Sequence, residues 1–243
     1  MEINLTNKSI FCFWNPTENT LKHFKMLEAV LAKENARLEL GICTLQNGHI
    51  QFQYSHDVST LLNDWQFNGG LGIAFFRPTH FFSPQDCVIP LYSIGHIAVA
   101  YLGVIDNLSE IREKLLSYGY EFYSKNNGAE TLSYLFHNYL EICHLSPTEA
   151  MKVMMKQLKG RFALMALLEE GKWLMVGCRD YPLAIGENQS TVYFCTDTNM
   201  LTQFSPSIYS VGGEPKPTIF CTSSQSDIPD ILTQEPLQIL FSA

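Results

Sequence analysis

The sequence predicts an α+β protein of stacked antiparallel sheets with helices outside them, an arrangement that an αββα sandwich satisfies. Three observations carry this. Two blocks of strand-like runs are separated by helix-periodic segments, several neighbouring runs are joined by hairpin-type turns, and no glycine-rich phosphate loop follows any strand. With 46% apolar and 16% charged residues over 243 positions, the chain has ample material for a packed core. A single domain over residues 1–243 is expected, with the segment from Gly212 onward weakly patterned.

Along the chain, "SIFCFWNP" is a short apolar strand stopped at Asn15-Pro16. A helix is expected from Thr17 to Lys33, where Leu21, Phe24, Leu27 and Leu31 recur at helical spacing. "LELGICTL", Asn47-Gly48 and "HIQFQY" read as a hairpin, because Asn-Gly tolerates the positive φ of a tight turn. Ser59 to Trp65 suits a short helix, and "LGIAFFRPTHFF" and "IGHIAVAYLGVI" read as strands covered on both faces.

Asn107, with Glu110 three residues on, predicts a helix start, and Gly119 its stop, with a further strand through Tyr120 and Phe122. A second helix is expected from Ala129 to Cys143. A third opens at the capping box Ser146-Pro147-x-Glu149 and closes by Gly160. "RFALMALLEE", "KWLMVGCR", "PLAIG" and "TVYFCTD" complete the strand set, the last two across the turn "ENQS".

Charge and cysteine usage narrow the function. A net charge of -8, with no long Lys/Arg run, argues against nucleic acid as partner. No apolar run is long enough to span a membrane, and the N-terminus lacks a signal-peptide pattern. Seven dispersed cysteines suit a reducing compartment, so a cytoplasmic protein is expected. Without Cys-x-x-Cys or His-x-x-x-His pairs, no metal site and no cofactor are expected.

Five blocks, in order, resemble the class II glutamine amidotransferases, in particular the glutaminase domain of glucosamine-6-phosphate synthase. They are "GLGIAFFRPTHF", "AYLGVIDNLSEIREKLLSYGYEFYS", "LKGRFALMAL", "RDYPLAIG" and "YFCTD". The resemblance runs from about Leu38 to Gly213 and implies an N-terminal-nucleophile hydrolase fold. It also implies a chemistry, in which an N-terminal cysteine attacks the glutamine amide carbon, its own α-amine acts as base, and an asparagine and a glycine N–H hold the oxyanion.

Residue by residue, the implied site is incomplete. Matching "SIFCFWN" to the family's opening strand by its apolar pattern puts Lys8 where the nucleophile belongs. A rival register makes Cys12 the nucleophile, exposed by removal of residues 1–11, and the bland reading of Cys12 is a core thiol. Leu102 stands at the oxyanion asparagine's position and cannot donate a hydrogen bond, a loss that typically costs about 10²–10³ in rate. Gly103 keeps the backbone donor. Arg77, Thr79 and His80 match the residues that hold the substrate, and Arg77 is read either as a carboxylate clamp or as a loop-bracing cation. His80 suits a hydrogen-bonded loop residue, and Asn127 stands near the aspartate that would face the α-ammonium. Asp106, Asn107 and Asp197 are explained as cap and turn residues.

The expected function is therefore a degenerate, stand-alone class II glutamine amidotransferase-like binding or regulatory protein, with a glutamine- or glutamate-like ligand and a protein partner or homodimer as candidates. The alternative is an active glutaminase that releases ammonia once cleavage exposes Cys12, with Gly103 in its oxyanion hole.

Overall fold

The computed structural model describes residues 9–15, 38–55, 70–78, 91–124, 127–188, 191–211, 217–223 and 230–231. The expected helices at Thr17–Lys33 and Ser59–Trp65, together with Lys8, Thr79 and His80, lie outside the described residues.

Two antiparallel sheets form the centre. The first contains β1 (Ser9–Trp14), β2 (Leu38–Gln46), β3 (His49–Ser55), β4 (Leu71–Pro78), β9 (Ala184–Asn188), β10 (Thr191–Cys195) and β11 (Ser207–Ser210), in the order β11-β9-β10-β1-β4-β2-β3. The second contains β5 (Leu91–Ile94), β6 (Ile97–Ile105), β7 (Gly160–Leu168), β8 (Trp173–Arg179), β12 (Thr218–Ser223) and β13 (Asp230–Ile231), in the order β13-β12-β8-β7-β6-β5. β1 pairs on both sides, Cys12 lying opposite Phe194 of β10 and Ile73 of β4.

Alternation along each strand divides the core into layers. Ile10, Cys12, Ile73, Phe75, Ala100, Leu102, Met165 and Phe194 meet between the sheets. On the outer face of the second sheet, Val99, Phe162 and Leu164 meet three helices: α1 (Leu108–Ser117), α2 (Gly128–His137) and α3 (Pro147–Gln157). A short helix, α4 (Thr198–Leu201), joins the first sheet through Leu201 and Phe204, the latter ring 4.9 Å from Phe11. The result is the αββα sandwich expected from the sequence.

Local signals explain most boundaries. Asn47 (φ 51°) and Gly48 (φ 84°) form the left-handed turn of the β2–β3 hairpin. Ser146 and Glu149 close the expected capping box on α3, with Pro147 at its first position. At the other end of α3, Arg179 of β8 donates to the open carbonyls of Leu158 (2.6 Å) and Met155 (2.5 Å).

Four expectations are corrected. "IGHIAVAYLGVI" is not one strand: Ile94 ends β5, and Gly95 and His96 turn the chain into β6. Tyr120 to Ser124 form no strand, because the N–H groups of Tyr123 and Ser124 bond to the Glu130 carboxylate instead of a neighbouring strand. Asn107 precedes α1 but makes no side-chain cap. Its amide donates to Gln157 O and accepts from Lys159 N, both at 2.9 Å, which ties α1 to the end of α3. The second helix leaves α geometry at Asn138, and Asn138–Ile142 is a π turn.

Candidate functional site

The site implied by the sequence centres on the end of β6. Leu102 points into the inter-sheet core and is 6% exposed. Gly103, the next residue, is exposed and has φ +106°. Only glycine fits there: a Cβ would lie 2.2 Å from Arg161 O and 2.7 Å from Phe162 Cα. Across the ladder, Gly160 (φ +121°) makes the reciprocal approach, where a Cβ would lie 2.3 Å from Val104 O. The two glycines let the ends of β6 and β7 close on each other.

Beside Gly103 lies a cavity of about 310 Å³ lined by Val104, Asp106, Gly160, Arg161 and Tyr181, among others. Arg161 is held at its rim by Asp180, Nε to Oδ2 at 2.7 Å. Burial raises the Tyr181 phenol above its ordinary value, and Arg161 opposes that shift, so the phenol stays protonated at neutral pH. Sequence reasoning missed Arg161 and Tyr181, because they enter through β7 and the link after β8, far along the chain from Gly103.

Asn127 sits on the opposite face of β6, at the N-terminus of α2, where Gly128 abuts the Tyr101 hydroxyl. Its side-chain oxygen accepts from Ala129 N (3.0 Å) and Glu130 N (3.2 Å), so it caps the helix. Glu130 is fully buried and accepts from Tyr123 N (2.7 Å) and Ser124 N (3.1 Å). Arg112 stacks 3.9 Å over the Phe122 ring and donates to Ser124 O, which completes a clasp around the segment leading to Asn127. Asn-x-x-Glu is a capping-box spacing, so Glu130 was detectable in sequence, but its carboxylate reaches the preceding link rather than the Asn127 N–H.

Arg77 is on β4, in register with Glu39 of β2, and Glu39 is fully buried. Asp197 caps α4, accepting from Asn199 N at 2.9 Å and Met200 N at 3.4 Å. Among the described residues, no three His, Cys, Asp or Glu side chains are placed to hold a metal ion, and no helix is long and apolar enough to cross a membrane.

Cys12 lies in mid-strand with no exposure. Burial raises its thiol well above the ordinary value, and Cys195 nearby adds to the rise. Burial likewise lifts Cys178 to about 12. Cys143 is exposed. Iodoacetamide at neutral pH should therefore modify Cys143 at least ~100-fold faster than Cys12, Cys43, Cys178, Cys195 and Cys221, because buried thiols react only through local opening. Peptide mass mapping over time checks this, and early labelling of Cys12 would contradict the packing of β1.

A two-sheet antiparallel core flanked by helices is the architecture of the N-terminal-nucleophile amidotransferases. The structure superposes on glutamine phosphoribosylpyrophosphate amidotransferase from B. subtilis with a TM-score of 0.71 and 16% identity, covering 93% of this chain and 49% of that one. Residues 85–203 match the sequence model of a glutamine amidotransferase domain. The chain is similar to glutamine–fructose-6-phosphate aminotransferase (isomerizing) of Rhizobium meliloti, 28% identical over 180 residues, and of Mesorhizobium japonicum, 29% identical over 174. These alignments cover 72% and 69% of this chain but only 29% and 28% of the relatives. Together these findings support a class II glutamine amidotransferase domain in this chain.

Proposed function

We propose that this protein is a degenerate class II glutamine amidotransferase-like protein that binds rather than catalyses. The observation that carries the reading is Leu102: an apolar side chain packed into the inter-sheet core occupies the position that the resemblance gives to an oxyanion donor. The state of Cys12 supports it. To serve as an N-terminal nucleophile, Cys12 would have to lose Ser9 to Phe11, which pair with Phe76, Phe75 and Ala74 of β4. Thr196 would also lose its bonds to Ile10, Ile10 N to Thr196 Oγ1 and Thr196 N to Ile10 O, both at 3.1 Å.

On this reading, the ligand is a glutamine- or glutamate-like carboxylate held by Arg77 with Thr79 and His80, beside the Gly103 N–H. The working form is one cytoplasmic domain that acts through a protein partner or a second copy of itself.

Incubating the full chain with a diazo-ketone analogue of glutamine and measuring its intact mass tests the proposal. An unprocessed N-terminus without adduct, and no ammonia released from glutamine, is the expected result. A chain shortened to Cys12 and carrying one adduct there would establish the glutaminase alternative. Calorimetric titration with glutamate should show saturable binding that Arg77→Ala abolishes. Absence of binding to the unaltered chain would leave the protein partner as the sole role of the site.

A further inference from the structure

At the end of the second sheet opposite Gly103, a cluster of titratable side chains surrounds the π turn that continues α2. The turn is closed by Cys143 N to Asn138 O at 2.9 Å and followed by Leu145 N to Tyr139 O at 3.0 Å. Such wide turns are rare and frequently lie at functional sites. Here three side chains tie the turn down, each reaching a different element. Tyr139 Oη bonds to Gln157 of α3. Glu141 Oε1 lies 3.0 Å from Nε2 of His96 on the β5–β6 turn. His137 Nδ1 lies 3.0 Å from the Tyr120 hydroxyl, on the link after α1.

These contacts converge. The His137 and His96 rings are 6.2 Å apart and inclined by 35°. Tyr120 meets His137 edge-on at 5.8 Å, and Cys143 Sγ lies 3.8 Å from Asn138 Oδ1 inside the turn. The titratable groups around His137 are thus Tyr120 from the α1 link, His96 from the β5–β6 turn, and Glu141 and Cys143 from the π turn and its exit. The turn and its exit wall a cavity of about 740 Å³ through Leu140, Glu141, His144 and Leu145, with Trp173 across from them.

We propose that Tyr120, His137, His96 and Glu141 form a proton-operated latch that holds the π turn closed while His137 is neutral and releases it, opening the cavity wall, when His137 is protonated. A neutral His137 accepts the Tyr120 O–H at Nδ1. A proton taken from solvent at that nitrogen turns the acceptor into a donor, so the Tyr120 O–H must turn away and its oxygen, already bonded by the Asn138 side chain, must accept instead, while an imidazolium is set against the His96 ring. Glu141 opposes this, but it is already bonded to His96 Nε2.

The direction of titration agrees. Burial lowers the basicity of His137 from its ordinary value, and His96 adds to the lowering against the pull of Glu141. A base whose folded value is depressed contributes stability above its unfolded value, and that stability is lost as pH falls through the folded value. The latch is therefore closed at neutral pH and loosens in mild acid.

Amide hydrogen exchange on the full chain tests the latch. Corrected for intrinsic rates, protection of the Cys143 and Leu145 amides should fall at least ~10-fold between about pH 7.5 and about pH 5, while β7 amides such as Leu164 stay protected. His137→Gln keeps an acceptor oxygen but cannot charge, so its protection should not change with pH. Constant protection in the unaltered protein, or the same fall in His137→Gln, overturns the proposal. Should the variant fail to fold, the unaltered protein decides: loss of Cys143 and Leu145 protection that follows the ring-proton titration of His137 supports the latch, and loss at a different pH, or none, rejects it.

Discussion

Gly103→Ala is expected to destabilise the protein by about 3–5 kcal/mol, enough to leave it partly or wholly unfolded. Two costs combine. At φ +106° an L-residue is strained by roughly 1–2 kcal/mol. The new methyl would also meet backbone, at Arg161 O and Phe162 Cα, so relief requires β6 and β7 to part where Gly103 pairs with Phe162. Gly160→Ala should behave alike, since its Cβ would meet Val104 O. Gly95→Ala is the control: φ is +51° and nothing lies within 4 Å, so about 1 kcal/mol is expected. Urea unfolding midpoints with unchanged slope measure all three. A Gly103→Ala protein as stable as Gly95→Ala would show that the strand ends yield. The expected result bears on function too, because strand packing alone then suffices to keep glycine at this position.

Glu130→Ala should cost about 2–4 kcal/mol and release the segment before α2. The carboxylate is fully buried, and its loss removes the acceptor that holds the N–H groups of Tyr123 and Ser124. Glu130→Gln, which keeps one acceptor oxygen, should fall between the two. The distinguishing measurement is local: exchange at the Tyr123 and Ser124 amides should accelerate in Glu130→Ala more than exchange in β7. Equal acceleration everywhere would mean that Glu130 supports global stability alone and does not set the loop.

Much of this architecture was legible because its signals are local. The Asn47-Gly48 hairpin, the Ser146–Glu149 capping box and the near-continuous apolar strands β4, β6 and β7 follow from turn chemistry and periodicity within a few residues. The misses are long-range. Asn107 carries a helix-start signature, yet its amide is drawn to Gln157 and Lys159, about fifty residues on. Tyr120 to Phe122 have strand-like composition, but strand formation needs a partner edge; the Tyr120 N–H instead bonds back to Leu115 O, and Glu130 takes the N–H groups of Tyr123 and Ser124 that follow. In the candidate site, Leu102 and Gly103 could be assigned from the β6 motif itself. Arg161, Tyr181 and Arg112 could not, since nothing local marks them as neighbours of that motif or of Asn127.

The central place of β1 sets the order in which this chain can mature. Its outer half-ladder is completed by β10, and the Ile10–Thr196 bond joins residues 186 apart. During synthesis β1 therefore waits, with one edge unpaired and the Phe11 ring without Tyr193 and Phe204, until β10 and the segment after it have left the ribosome. Closure at such separation makes for slow folding and a long interval open to aggregation. Translation pauses before Cys195, or truncations that remove β9 and β10, should send the nascent chain to chaperones rather than to a partly folded intermediate that can wait unaided.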